Sequence, residues 1–241
     1  MERTEYLRKY LILIGLFVVR FSVGAQYSTE IYTAYTSGDM DKWEAAVVKM
    51  ENSSVASLSE KLELLNYYYG YVGYLLGEGE KSKARNYIAK GEKLIDLVLR
   101  EYPDNVEATA YKGSFTAYEM SINRIKTAVL GPISLHYINK AYKLDPNNLQ
   151  ALVDKANLLF YAPAVFGGDK EQAIPLYQRA IQKMENENLN HQNWYYLNLL
   201  VVLAQHYEKI GEKEKAVSTY QKILKEEPDF EWVKNELYPG R

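Results

Sequence analysis

This sequence predicts an all-α fold of tandem helical hairpins, and three observations predict it. From Gln26 onward apolar residues recur at three- and four-residue spacing, and no stretch shows the β-branched alternation of a half-buried strand. Tyr102-Pro103-Asp104-Asn105 and Asp145-Pro146-Asn147-Asn148 each follow an amphipathic segment, and their prolines lie 43 residues apart. The small residues Gly70, Gly113 and Ala156 repeat at the same 43-residue interval, with Ala204 following after 48. Two independent markers sharing one period argue for repeats, units that bury their apolar faces only against their neighbours.

The elements follow in order. Arg3, Arg8 and Lys9 precede the apolar stretch Leu11 to Val19, whose nine residues would span only about 14 Å as a helix, roughly half a bilayer core. That reads as a signal peptide and not as an anchor. Val23, Gly24 and Ala25 place cleavage before Gln26, so residues 1–25 form the leader and 26–241 the helical domain, destined for the periplasm or secretion. Arg20, near the end of the apolar stretch, is atypical of such a leader. Tyr27 to Glu51 holds a degenerate first unit, with Gly38 in its turn and Trp43 where a small residue is expected. Gly70 opens the second, whose second helix runs from about Glu80 to Glu101. Gly113 marks the third, which closes at Ala141 and Pro146. Leu152 and Ala156 open the fourth, Tyr161 to Asp169 form its enlarged turn, and Ala173, Tyr177 and Ala180 lie in its second helix. Pro175 should bend that helix or leave a carbonyl unpaired. Asp229 to Leu237, with Trp232 and Leu237, would cap the last apolar face.

The fifth unit carries the family signal. Leu200, Leu203, Ala204, Tyr207, Gly211, Ala216, Tyr220, Ile223 and Pro228 fall at positions 4, 7, 8, 11, 15, 20, 24, 27 and 32 of a repeat of about 34 residues. This resembles the tetratricopeptide repeat (TPR). Small residues at positions 8 and 20 let the paired helices approach, and proline at 32 ends the second helix. HEAT-type repeats share periods in the forties, but the Ala-x3-Tyr and Pro signals favour TPR. The resemblance covers most of residues 27–228 and implies a right-handed superhelix of about five hairpins. The stretch Tyr161 to Asp169 is similar to turns in exported TPR proteins of Gram-negative bacteria, including periplasmic subunits of TRAP-type transporters.

Composition removes several functions. A formal net charge of −2 without a Lys/Arg run argues against nucleic acid, and the absence of cysteine removes disulfides, thiolate metal sites and cysteine-linked lipid anchors. His136, His191 and His206 do not converge on a metal, and no nucleophile, base and oxyanion donor assemble, so neither an enzyme nor a cofactor is expected. Gly167-Gly168 lacks the phosphate-loop continuation, and Asp169 reads as a helix N-cap.

The outstanding feature is 23 tyrosines against 6 phenylalanines. The TPR resemblance implies a concave groove lined by positions 2, 5, 9, 12 and 13 of each first helix. Counting from Gly70 at position 8 projects Tyr67, Tyr71 and Tyr74 into it. Later units contribute Glu107, Ser114 and Tyr118, then Asn157, Phe160 and Tyr161, then Asn198, Gln205 and Glu208. Such an aromatic and neutral-polar wall suits a protein or peptide segment. The competing reading makes the Tyr67 to Tyr74 stripe core between helices. A carboxylate clamp is absent, since positions 5 and 9 hold Tyr67 and Tyr71, Ala110 and Ser114, Val153 and Asn157, Val201 and Gln205. The expectation is a non-catalytic scaffold; the alternative is a solute-transporter accessory that binds a small ligand or a transporter component.

Overall fold

The structure, a computed structural model, describes residues 23–53 and 55–239; the expected signal peptide lies outside them except for its last three residues. Among the described residues ten α-helices form five hairpins and no strand occurs: α1 Val23–Thr36 and α2 Met40–Asn52, α3 Leu58–Gly77 and α4 Lys81–Glu101, α5 Val106–Ile122 and α6 Thr127–Leu144, α7 Leu149–Tyr161 and α8 Lys170–Asn186, α9 Trp194–Lys209 and α10 Lys213–Glu226. A π-helical turn, Val233–Leu237, follows. None of the described helices is long and apolar enough to cross a membrane.

Local chemistry sets the boundaries. Ser57 and Glu60 form a reciprocal capping box at the start of α3. Asn105, Asn148 and Asn193 cap α5, α7 and α9, accepting from Ala108 N at 2.8 Å, Ala151 N at 3.1 Å and Tyr195 N at 2.9 Å. The repeated Pro-Asp-Asn and Pro-Asn-Asn segments therefore do two jobs, stopping one helix and capping the next. Hairpins one, two and five turn through a left-handed glycine, Gly38, Gly79 or Gly211, with φ of 69°, 78° and 86°. Hairpins three and four do not use this tight turn. The third inserts the 3-10 segment Arg124–Lys126, and the fourth inserts Ala164–Phe166 followed by Gly167 at φ 85°. α8 runs continuously through Pro175, as α6 does through Pro132, 43 residues earlier.

The fifth hairpin packs back onto the first. Tyr35 of α1 meets Trp194 of α9 edge to face at 5.8 Å, and Trp43 of α2 meets the same indole at 4.9 Å. Phe230, fully buried beyond α10, packs on Tyr35 at 5.0 Å, and the Tyr32 hydroxyl donates to Glu227 at 2.6 Å. The terminal segment thus covers the last hairpin and also joins it to the first. One apolar core runs from Tyr27 to Tyr238.

Candidate functional site

Where an open concave groove was expected, the first helices of hairpins two to five converge on their own side chains. Tyr69 of α3 touches Tyr111 and Tyr118 of α5 at 5.8 and 5.5 Å and Tyr195 of α9 at 6.2 Å. Its hydroxyl accepts from Asn157 Nδ2 of α7 at 3.2 Å. Beside it Asp154 is wholly buried, accepting from Gln150 Nε2 at 2.9 Å, while Tyr195 donates to Gln150 Oε1 at 2.8 Å. Burial drives the Asp154 pKa up to about 8 against the opposing pull of Ser114 and Gln150, and its Oδ2 has no partner.

The stripe assigned to the groove lies on a neighbouring face. Tyr67 and Tyr71 are buried core residues. Tyr67 packs on Trp43, whose indole N–H donates to the Tyr67 carbonyl at 3.3 Å, and Tyr71 meets Tyr87 of α4 at 4.9 Å. Tyr74 is partly exposed and stacks on Tyr71 at 6.0 Å. The displacement has a simple origin. A Cβ on Gly70 would come within 2.6 Å of Trp194 and 2.9 Å of Trp43, so Gly70 faces the first and fifth hairpins. Gly113, its counterpart in the period, faces Ile138 of its own hairpin. With about 100° per residue, one step of register carries the tyrosines from groove to core.

The remaining candidates divide into two groups. Ser114 is buried beside Asp154, whereas Tyr118, Asn157 and Tyr161 are linked in a path from the buried centre to the surface: Tyr118 donates to the Tyr69 carbonyl at 3.2 Å, and Tyr177 donates to Asn157 Oδ1 at 2.5 Å. Tyr177 packs against His206 at 4.9 Å, and His206 Nε2 lies 3.0 Å from the Tyr161 hydroxyl. Asn198 stands apart, accepting from Tyr35 at 3.1 Å on the seam between hairpins one and five. Gln205 is half-buried on α9 next to His206.

His206 is a core ring stacked on Phe160, with centroids 3.4 Å apart. Burial, reinforced by Lys209 and Lys170, lowers its pKa to about 3, which keeps it neutral. Those lysines lie over aromatic rings: Lys170 over Phe160 at 5.5 Å, and Lys209 over Tyr161 at 5.4 Å. The turn below them is built for shape. Asp169 caps α8 at 3.0 Å through Gln172 N, and a Cβ on Gly168 would overlap the Ala162 carbonyl.

Around this point the surface becomes apolar. Ile125, Val165 and Phe166 are 93%, 83% and 64% exposed, and Tyr161, Val129 and Ile133 are exposed with them. All six belong to the turns of hairpins three and four or to the helix ends that flank them, at one end of two adjacent units. Arg124, Lys126, Lys170 and Lys209 edge the patch, Lys126 being paired with Glu119 at 2.9 Å. Large exposed apolar side chains gathered at one end of two adjacent units, with basic residues nearby, are the kind of surface that interaction sites use.

Comparison with known proteins supports the fold. A thermophilic TPR protein of Thermus thermophilus superimposes with a TM-score of 0.50 at 13% identity, covering 84% of this chain and 91% of the other. The HusA haemophore of Porphyromonas gingivalis superimposes with a TM-score of 0.51 at 14% identity, covering 79% and 96%. No protein-family model and no curated protein sequence matches the chain. The chain thus has a TPR-like helical-repeat fold.

Proposed function

We propose that the protein is an exported, non-catalytic binding module whose docking surface is the turn end of hairpins three and four. One observation carries the reading: the two hairpins that abandon the tight glycine turn are the two whose turn segments themselves carry large, mostly exposed apolar side chains, Ile125 in one and Val165 and Phe166 in the other. The concave axis is filled by Tyr69, Tyr111, Tyr118 and Tyr195, which leaves the turn face as the site of first contact. The partner this face fits is a peptide segment with apolar anchors and acidic residues, the latter meeting Arg124, Lys170 and Lys209. Export rests on the leader-like residues 1–25.

A second reading, carriage of a small amphiphilic anion, draws on the juxtaposition of Phe160, Tyr161 and His206 with two lysines. The HusA likeness names haem as a ligand of that chemistry. One experiment separates the two. Crosslinked partners are captured on the wild-type chain and on Phe166→Asp/Val165→Asp, with haemin titrated into both and followed by absorption. Scaffold function predicts loss of a specific captured protein from the variant and no saturable haemin band. Saturable haemin binding by the wild-type chain would favour the carrier, and unchanged capture by the variant would overturn the assigned face.

A further inference from the structure

At the other end of the array, where the N-terminal ends of α3, α5, α7 and α9 meet, lies a cleft of about 480 Å3. Its wall is aromatic on one side, through Tyr67, Trp194 and Tyr195, and carries the carboxyl groups of Glu63 and Glu107, with no lysine or arginine among the lining residues. Asn66 holds the wall in place: Trp194 Nε1 donates to its Oδ1 at 2.9 Å and its Nδ2 donates to the Tyr111 hydroxyl at 3.0 Å.

The two carboxyl groups differ in how they are satisfied. Glu63 accepts a short hydrogen bond from the Tyr67 hydroxyl. Glu107 is deeply desolvated, and among the described residues no donor or cation meets its carboxyl; burial alone pushes its pKa up to about 7. A largely desolvated carboxyl that has no protein partner and is still open to the cleft is stabilised by a cation supplied from outside.

We propose that this cleft binds a small organic ammonium ion, held between Glu63 and Glu107 against the aromatic wall. An organic cation fits better than a metal ion, since the described residues contain no group of three or more His, Cys, Asp or Glu side chains able to hold one. Tyrosine and tryptophan also add cation–π attraction to an alkylammonium. The site is independent of the turn-end surface, because its residues sit at the opposite ends of the same helices.

The test is calorimetric titration of the full chain with cadaverine at pH 8, where Glu107 is ionised. Saturable one-to-one binding is expected, weakened at least tenfold in Glu107→Gln and weakened in Glu63→Gln, with 1-pentanol failing to compete. Glu107→Gln removes a half-buried carboxyl that has no protein partner and nearly preserves shape, so it should fold; thermal melting checks this, and Glu63→Gln provides the second variant. The proposal falls if the wild-type chain gives no saturable heat, if both variants bind as tightly as the wild type, or if calcium at matched ionic strength displaces the diamine. Loss of cadaverine binding in Glu107→Gln with intact partner capture would separate this site from the docking face.

Discussion

Asp154 and His206 are buried groups whose shifted pKa values make opposite contributions to the pH dependence of stability. The Asp154 carboxyl has its folded pKa raised to about 8 by burial, against about 3.9 in the unfolded chain. Between those values the native state holds a proton that the unfolded state has released, so stability falls as pH rises from about 4 to about 8 and then levels. His206 works in the opposite sense. Its folded pKa is depressed to about 3, so its contribution is complete above about 6.5 and declines as pH falls toward 3. Asp154→Asn keeps the shape, leaves the Gln150 contact available and removes the first effect. The variant should therefore gain stability relative to wild type between pH 5 and pH 8, measured by urea unfolding at both. A difference that does not change with pH would show that Asp154 titrates normally in the fold. The sequence held a clue to this group: an acidic residue stands on the apolar stripe of Leu152, Val153, Ala156, Leu159 and Phe160.

At the scale of the helix, the periodic small residues and the proline-asparagine segments were legible because each has a local cause. A left-handed turn needs glycine, and a helix start needs a side-chain acceptor. Of the stripe Tyr67 to Tyr74, Tyr67 and Tyr71 follow the core reading because α3, a 20-residue helix, turns Gly70 toward Trp43 and Trp194, a choice made by hairpins far away in sequence. Gly91 of α4 tests the packing role of such residues. An alanine in the middle of a helix normally gains about 1 kcal/mol over glycine, but here the added Cβ would overlap the buried Phe115 ring. Overpacking of that kind costs about 1–3 kcal/mol, so Gly91→Ala should lower the urea midpoint. Gly77→Ala, at the exposed end of α3 with nothing within 4 Å, should leave it unchanged or raise it. Equal midpoints for the two variants would mean that Phe115 yields without cost.

For the molecule as a whole, the return of hairpin five onto hairpin one changes what kind of repeat protein this is. An open array is stabilised by contacts between neighbouring units, so damage at one end stays near that end. Here Trp194 touches Tyr35, Trp43 and the approach to Gly70, which puts residues from two other hairpins on one indole. No nearest-neighbour pattern in the sequence announces that contact, because the residues involved are separated by more than a hundred positions. Truncating a buried tryptophan to alanine typically costs about 3–5 kcal/mol. In an open array Trp194→Ala would loosen α9 and α10 chiefly. In the closed arrangement it should also speed amide hydrogen exchange in α1 and α2, while α6 changes less. Ile138→Ala, buried in the third hairpin, serves as the comparison, and its effect should centre on α5 and α6. If Trp194→Ala accelerated exchange in the fifth hairpin and left α1 and α2 protected, the two ends would be energetically independent, and the seam at Tyr35, Trp43 and Trp194 would be a contact without coupling.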